Sequence, residues 1–264
     1  MFKVSCIQIC SGKNIKKNLN LSKKLILKAI KQNSDFIITP ENSSLFGLSK
    51  KELIKNSTSM NEDFYLKEIK KIAKQYKKWI LVGSVLIKER SKIKNRSVLI
   101  NSKGRIQTYY DKIHMYDAIL SREEKYFESK TFTPGRFFKT ANLPWGKLGL
   151  SICYDVRFPG MYRELSKRGS LFLSVPSAFT KTTGEKHWHS LLKARAIENF
   201  SYVFAAAQHG THWNGRKTFG HSLIISPDGK ILKELKKGNG VITANIDPKM
   251  SKILRKIIPS LNKD

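Results

Sequence analysis

Glu41, Lys112 and Cys153 supply a carboxylate, a cation and a thiol, the three kinds of group that nucleophilic acyl transfer needs. The carboxylate can take the thiol proton, the cation can steady a tetrahedral intermediate, and the thiolate can attack. Taken singly, none is informative. Glu41 alone reads as a surface carboxylate, Lys112 as one lysine among many, and Cys153 as an inert core thiol. Their surroundings change that. Each follows a short apolar, β-prone run, over residues 36–38, 106–110 and 148–152. All three therefore stand where strands end, and open α/β sheets bind ligands at the carboxyl ends of their strands. A thiol at such a turn, near a helix N-terminus or a lysine, is expected to ionise below its usual pKa of about 8.5.

Positioning such a trio takes several strands and the helices that cover them. Residues 1–10 read as a first strand, and Ile15, Leu19, Ile26, Ala29 and Ile30 then recur at helical spacing with lysines between them. Residues 36–40 form a buried strand ending at Glu41. Phe64, Ile69, Ile72, Ala73 and Tyr76 mark a second amphipathic helix, followed by a β-branched strand over 79–87. Residues 98–100 and 105–110 pair as a hairpin around Asn101-Ser102-Lys103-Gly104. The strand 148–152 delivers Cys153, and 158–168 can be helical with Gly169 as its stop. A strand over 171–175, a helix over 185–199 and a strand over 202–208 come next. Segments 222–226, 230–233 and 241–246 close as strands, with a turn at Pro227-Asp228-Gly229. Alternating strands and helices with antiparallel pairs mixed in predict an α/β fold, helices packed outside two facing sheets. Without linker, repeat or low-complexity block, residues 1–264 read as a single domain.

The motifs resemble those of the nitrilase superfamily of carbon–nitrogen hydrolases over essentially the whole chain. The match runs through Pro40-Glu41, Asp111-Lys112-Ile113-His114, Phe127-Glu128-Ser129 with Pro134-Gly135, and Ile152-Cys153-Tyr154-Asp155-Val156-Arg157-Phe158-Pro159. The resemblance implies a four-layer α-β-β-α sandwich and a catalytic triad of Glu41, Lys112 and Cys153. It adds Glu128 as a second glutamate that orients Lys112, and the Tyr154 backbone N–H as an oxyanion donor beside Lys112. It implies hydrolysis of a small linear carboxamide to an acid plus ammonia through a cysteine thioester. It also implies a homodimer joined across helices near the active site.

A second block is most similar to the branch that holds deaminated glutathione amidase and ω-amidase. It comprises Pro176 to Thr180, Thr183-Gly184, His187-Trp188, 191–198, Ala205-Ala206-Ala207-Gln208 and Gly220-His221-Ser222. Lys186, Lys193, Gly160 and the turn Ser226-Pro227-Asp228-Gly229 depart from that branch. Hydrolysis of N-carbamoyl amines is the rival reaction within the superfamily. Substrates of the amidase branch carry a carboxylate, for which Arg157 is the first candidate holder and Arg195 the second. Arg195 also stands three residues before Glu198 on one helix, where an ion pair would occupy it.

Composition bounds the alternatives. The net charge of +30 raises a nucleic-acid partner, but lysine spread along nearly every helix is not the clustered, Arg-rich stripe of such a footprint. Solvated faces are the expected reading, so neither nucleic acid nor membrane is expected as partner; the small-molecule amide is. A non-catalytic basic binding module is the reading from a different class, and the intact trio argues against it. No apolar run reaches the roughly 18 residues of a membrane helix, and the start lacks a signal peptide's long apolar core. Three cysteines in 264 residues are no disulfide framework, which suits the cytoplasm. His187 and His189, two apart on a helix, cannot chelate as an i, i+4 pair. His209 and His212 have no paired cysteines nearby, so no metal is expected. Phosphate-cradling glycine patterns are missing, and no cofactor is expected.

Overall fold

The computed structural model describes residues 1–263. Two six-stranded sheets face each other. The first has β1 (Phe2–Gln8), β2 (Phe36–Ile38), β3 (Trp79–Glu89), β4 (Lys92–Ile100), β5 (Ile106–Asp111) and β16 (Gly240–Ile246), in the order β16-β1-β2-β3-β4-β5. The second has β8 (Lys139–Leu143), β9 (Gly146–Leu150), β10 (Ser170–Ser174), β11 (Tyr202–Ala205), β14 (Ser222–Ile225) and β15 (Ile231–Leu235), in the order β15-β14-β11-β10-β9-β8. Two hairpins stand outside them, β6 (Asp117–Ile119) with β7 (Lys125–Phe127) and β12 (His209–Thr211) with β13 (Lys217–Phe219). The helices are α1 (Ile15–Lys31), α2 (Lys50–Asn56), α3 (Phe64–Tyr76), α4 (Pro159–Lys167), α5 (Lys181–Asn199) and α6 (Pro248–Ile257).

The central strands are buried on both faces, as their near-continuous apolar runs require. Alternation divides the side chains between two cores. Phe36 and Ile38 face the inter-sheet core with Phe204 and Leu150, whereas Ile37 between them joins Ile26, Ile69 and Ile80 beneath α1 and α3. A T-shaped Phe36–Phe204 pair, ring centroids 6.4 Å apart, bridges the sheets. On the far side Leu165 of α4 and Trp188, Leu192 and Ala196 of α5 pack onto the second sheet. The result is the expected helix–sheet–sheet–helix layering.

Parallel pairing sets the polarity of each sheet. β1, β2 and β3 run parallel, and β5 shares their direction because two antiparallel steps lead to it through β4. β9, β10 and β11 are likewise parallel. The carboxyl ends of β2, β5 and β9, with the segments that follow them, carry Glu41, Lys112 and Cys153.

Several boundaries differ from the sequence reading. α5 begins at Lys181, four residues before the expected start, with Thr180 in extended conformation as its cap. The strand expected over 202–208 stops at Ala205. Gln208 instead turns its side chain inward, donating to Glu41 O at 2.9 Å and to Ser11 Oγ at 2.8 Å. α2, α6, β8 and the β6–β7 hairpin did not emerge from periodicity. α2 buries none of its residues, so it has no apolar stripe to detect; its signal is the capping box of Ser49 and Glu52. α6 buries only Ser251, and its start is marked by Asp247 capping Lys249 N at 3.0 Å with Pro248 at N1.

Candidate active site

Glu41 reaches the site because β2 ends early and the chain crosses close to β3. Gly83 makes that crossing possible. A Cβ there would stand 2.0 Å from Thr39 O and 2.5 Å from Pro176 Cβ, so no other residue fits. Gly135 plays the same part for Lys112: its N–H donates to Lys112 O at 2.8 Å, and a Cβ would lie 2.2 Å from Asp111 O. The end of β5 is held by Arg96, which donates from Nε and Nη2 to the two Asp111 oxygens at 2.6 and 2.9 Å.

Cys153 opens a short 3-10 turn, Cys153–Arg157, three residues after β9. Its φ is +48°, a left-handed conformation that a non-glycine residue takes only under constraint. The constraint is visible. Cys153 N donates to Pro176 O at 2.9 Å, and Asp155 Oδ2 accepts from Ile152 N at 2.8 Å. Fully buried Asp155 also accepts from Tyr110 OH at 2.8 Å and His114 N at 3.1 Å, and its Oδ1 lies 2.7 Å from His114 Nδ1. The His114 ring stacks on Phe158 at 3.6 Å between centroids. Asp155 therefore locks the Lys112 segment to the Cys153 segment, which explains why both motifs carry more polar residues than the chemistry alone needs.

Around these backbones the side chains converge. Lys112 Nζ donates to Glu41 Oε1 at 3.1 Å and to Glu128 Oε1 and Oε2 at 3.0 and 2.7 Å. Asn95 Nδ2 donates to Glu41 Oε1 at 2.9 Å, and Ala178 N to Glu41 Oε2 at 2.8 Å. Tyr116 N donates to Glu128 Oε2 at 2.7 Å. The Cys153 side chain neighbours Glu41, and the two act on each other electrostatically. The side chains of Lys112 and Glu41 are only 2% and 4% exposed, so one cation sits between two carboxylates almost without water.

Burial and charge set the protonation states. Burial pushes Glu41 up, but the Lys112 charge, the Cys153 side chain and the bonds from Lys112 and Asn95 outweigh it and hold the carboxyl below its ordinary range. Burial pulls Lys112 down, but Glu128 and Glu41 together hold it well above a normal lysine. Cys153 is pushed far up, by burial first and the Glu41 charge second, against the opposing Lys112 charge. The sequence reading expected a ready thiolate. The structure corrects this: the resting nucleophile is a neutral thiol beside an ionised carboxylate, because desolvation exceeds what one shared lysine can supply.

These groups line a cavity of about 240 Å³ containing Glu41, Lys112, Glu128 and Cys153, with Lys125, Tyr126 and Arg216 on its walls. A small recess on Cys153 is bounded by Tyr154, Phe179 and Thr183. The Tyr154 N–H lies in the first turn of the 3-10 segment, where helical amides have no intrahelical carbonyl to bond. Arg157 does not line the cavity. Its guanidinium lies 5.2 Å from the Phe179 centroid and 6.0 Å from Tyr154, and its Nη2 is 3.3 Å from His187 Nδ1. Arg195 is buried away from it, donating from Nε to Val156 O at 2.9 Å and from Nη1 to Glu198 Oε1 at 2.7 Å.

Asn95 and Arg216 escaped the sequence reading. Asn95 had a usable signal, since Lys94, Asn95 and Arg96 lie between Ile93 and the apolar run 98–100 of one strand. Arg216 had none, being one of 50 basic residues and lying between two short strands. His189, assigned no ligand role from spacing, and His221 meet at Glu234, whose Oε1 lies 2.9 Å from His189 Nε2 and 2.6 Å from His221 Nδ1. Among the described residues this trio alone groups three potential metal ligands. Both rings address one carboxylate oxygen, and none of the three lines the catalytic cavity.

Comparison with known proteins agrees with this geometry. The family model described as carbon-nitrogen hydrolase matches residues 3–256. Deaminated glutathione amidase from Yersinia enterocolitica is 37% identical over 262 residues, covering 98% of this chain and 91% of that protein. The crystal structure of the C. elegans NitFhit protein superposes with a TM-score of 0.93 at 33% identity, covering all of this chain and 65% of that longer one. Saccharomyces cerevisiae Nit3, a member of branch 10 of the nitrilase superfamily, superposes with a TM-score of 0.88 at 27% identity, covering 98% of this chain and 94% of that one. With sandwich, site and near-full-length matches in accord, the chain belongs to the carbon–nitrogen hydrolase family of the nitrilase superfamily.

Proposed function

We propose that the protein is a deaminated glutathione amidase in which Glu41, Lys112 and Cys153 do the chemistry. The convergence of these three side chains in one buried cavity carries the reading, supported by the 37% identical relative of that name. Glu41 takes the thiol proton as Sγ attacks the amide carbonyl. Because the thiolate forms only as the new bond does, its charge passes directly to the carbonyl oxygen. Lys112 stays protonated and, with the Tyr154 N–H, receives that oxygen; losing one such donor costs about 2.7–4 kcal/mol of barrier. Glu41 returns the proton to the leaving amine. Water then enters and attacks the thioester as Glu41 takes its proton; the C–S bond breaks, Glu41 returns that proton to Sγ, and the acid leaves. Glu128 holds the Lys112 ammonium in place through both its oxygens and moves no proton.

This substrate changes the expected leaving group. Glutathione joins its parts by secondary amides, so its deaminated form has no primary carboxamide to yield ammonia; the leaving group is an amine. ω-Amidase activity on 2-oxoglutaramate would release ammonia. The two are separated by measuring 2-oxo acid, amine and ammonia release side by side. Amine release from deaminated glutathione, lost in Cys153→Ala, is the expected result; turnover that survives in Cys153→Ala would overturn the assignment.

Arg157, beside the recess on Cys153, is the candidate holder of a carboxylate on the acyl side, whereas Arg195 is committed to Val156 and Glu198. The three cysteines are free, and no helix among the described residues is long and apolar enough to cross a membrane, which supports a cytoplasmic setting. The continuous inter-sheet core supports residues 1–264 acting as one hydrolase domain. Exposed Ile197, Ile253, Ile257 and Ile258 on and after α5 and α6 support a homodimer joined on that helical side.

A further inference from the structure

The catalytic cavity shares Asn42, Lys125, Tyr126, Phe132 and Arg216 with a larger hollow of about 920 Å³. Arg216 is fixed at this junction. Its guanidinium lies 5.0 Å from the Phe46 centroid and 4.7 Å from that of Tyr126, a placement that also offers cation–π attraction. Its Nη2 donates to Ala178 O at 3.2 Å, and the Ala178 N–H holds the catalytic Glu41. Arg216 Nε is buried and has no hydrogen-bond partner. Such a donor is costly to leave unpaired, and native structures rarely do so without a ligand or water to meet it.

The carboxylates nearby are already engaged. Glu124 accepts from Tyr126 OH at 2.9 Å and from Thr182 Oγ1 at 2.7 Å, and Glu185 faces Lys181 at 3.7 Å. Among the described residues no carboxylate forms an ion pair with Arg216. A planar cation with an unpartnered Nε at the mouth of an acyl-transfer cavity is shaped for a carboxylate supplied from outside.

The direction of the reaction says which one. Once Sγ has attacked, the acyl part stays bonded to Cys153 inside the smaller cavity, and the amine part must leave through the open continuation. Resting on the amidase reading above, we propose that the larger hollow receives the amine-side arm of the substrate. Arg216 grips the carboxylate that ends that arm. For deaminated glutathione the arm is cysteinylglycine, and the anion is its glycine carboxylate.

The test compares cysteinylglycine with its C-terminal amide as ligands of the intact protein by titration calorimetry, in wild type, Arg216→Lys and Arg216→Ala. Wild type is expected to prefer the free acid by about 10- to 100-fold, the range of a desolvated Arg–carboxylate contact. Arg216→Ala should abolish the preference, and Arg216→Lys should keep only part of it because the fork is lost. In turnover, Arg216→Ala should raise KM for deaminated glutathione at least 10-fold more than KM for its C-terminal amide. Unaltered thermal melting and Cys153 alkylation would show that the variants keep the site intact. Equal affinity of wild type for acid and amide, or a preference that survives Arg216→Ala, would overturn the anchor even if the amidase works. A wild type that binds the dipeptide through Arg216 yet hydrolyses no deaminated glutathione would instead sink the substrate assignment and leave the anion site standing.

Discussion

At the residue scale, the central point is that Cys153 and Glu41 share one proton and that the proton rests on sulfur. Glu41→Gln separates proton-shuttling from electrostatics. Without the carboxylate charge, only burial still opposes the pull of Lys112 on the thiol, so Cys153 should ionise at lower pH than in wild type. Turnover should nevertheless fall by about 10²–10⁴, because no base remains to take and return the proton. Ultraviolet thiolate titration, corrected with Cys153→Ala, alongside turnover would check both. A variant with a more acidic thiol and undiminished turnover would mean that a preformed thiolate suffices.

Lys112→Met makes a second residue-scale prediction, in stability. In wild type the folded-state pKa of Glu41 is depressed, so its contribution is present above the unfolded value of about 4.3 and is lost as pH falls through the folded one. The folded-state pKa of Lys112 is raised, so its contribution is full below the unfolded value of about 10.4 and is lost as pH climbs through the folded one. Removing the lysine strands two carboxylates, at a cost of about 3–5 kcal/mol for a broken buried pair. Burial then pushes Glu41 up, so acidification from neutral pH toward about 4.3 should stabilise the variant while the contribution of these groups to wild type stays constant. Denaturant melts between pH 7 and about 4.5, read as the difference between variant and wild type, would show stability rising on acidification in the variant alone; parallel curves would contradict this electrostatic reading. The trio was legible in the sequence because each member follows a strand and sits in its own short motif. Arg216 was not, since a loop arginine in a lysine-rich chain has no spacing to distinguish it.

At the element scale, the site depends on how the 3-10 segment after β9 is fastened to α5. Arg195 makes that joint by bonding Val156 O and Glu198 together. Arg195→Ala should cost about 1.5–3 kcal/mol, the value of hydrogen bonds to a charged group, and lower Tm by several degrees. KM for the substrate should not move. A raised KM with unchanged Tm would return Arg195 to the substrate-binding role considered from the sequence. The same scale shows where pattern reading stops. α1 and α3 were legible because Leu19, Ile26, Ile69 and Ile72 are buried at helical spacing. α2 and α6 present few or no buried residues, and only their caps marked them. The β6–β7 hairpin carries Lys125 and Phe127 at the cavity wall; its three-residue strands are too short for alternation to register.

At the scale of the whole molecule, two facing sheets with a shared polarity of strand ends create one buried pole where base, cation and thiol meet. Layering was legible because strand and helix segments alternate along the chain; which strand pairs with which was not, since β16 returns to β1 across 238 residues between Ser5 and Thr243. The +30 charge lies on a surface of lysines and leaves the pole itself governed by its own ion pairs. Ile253, Ile257 and Ile258 are 54%, 67% and 52% exposed, an apolar patch that a dimer would cover. Ile257→Glu should shift the sedimentation profile from dimer toward monomer while melting changes little. A wild type that sediments as a monomer would contradict the proposed assembly.

The proposed reaction requires Cys153 to carry the acyl group during turnover. Rapid acid quenching of wild type with deaminated glutathione, followed by mass spectrometry of the digested protein, tests it most directly. The predicted result is a 2-oxo acyl adduct on the peptide holding Cys153, formed before product accumulates and absent from Cys153→Ala. Steady turnover with no adduct on Cys153, or an adduct on another residue, would contradict it.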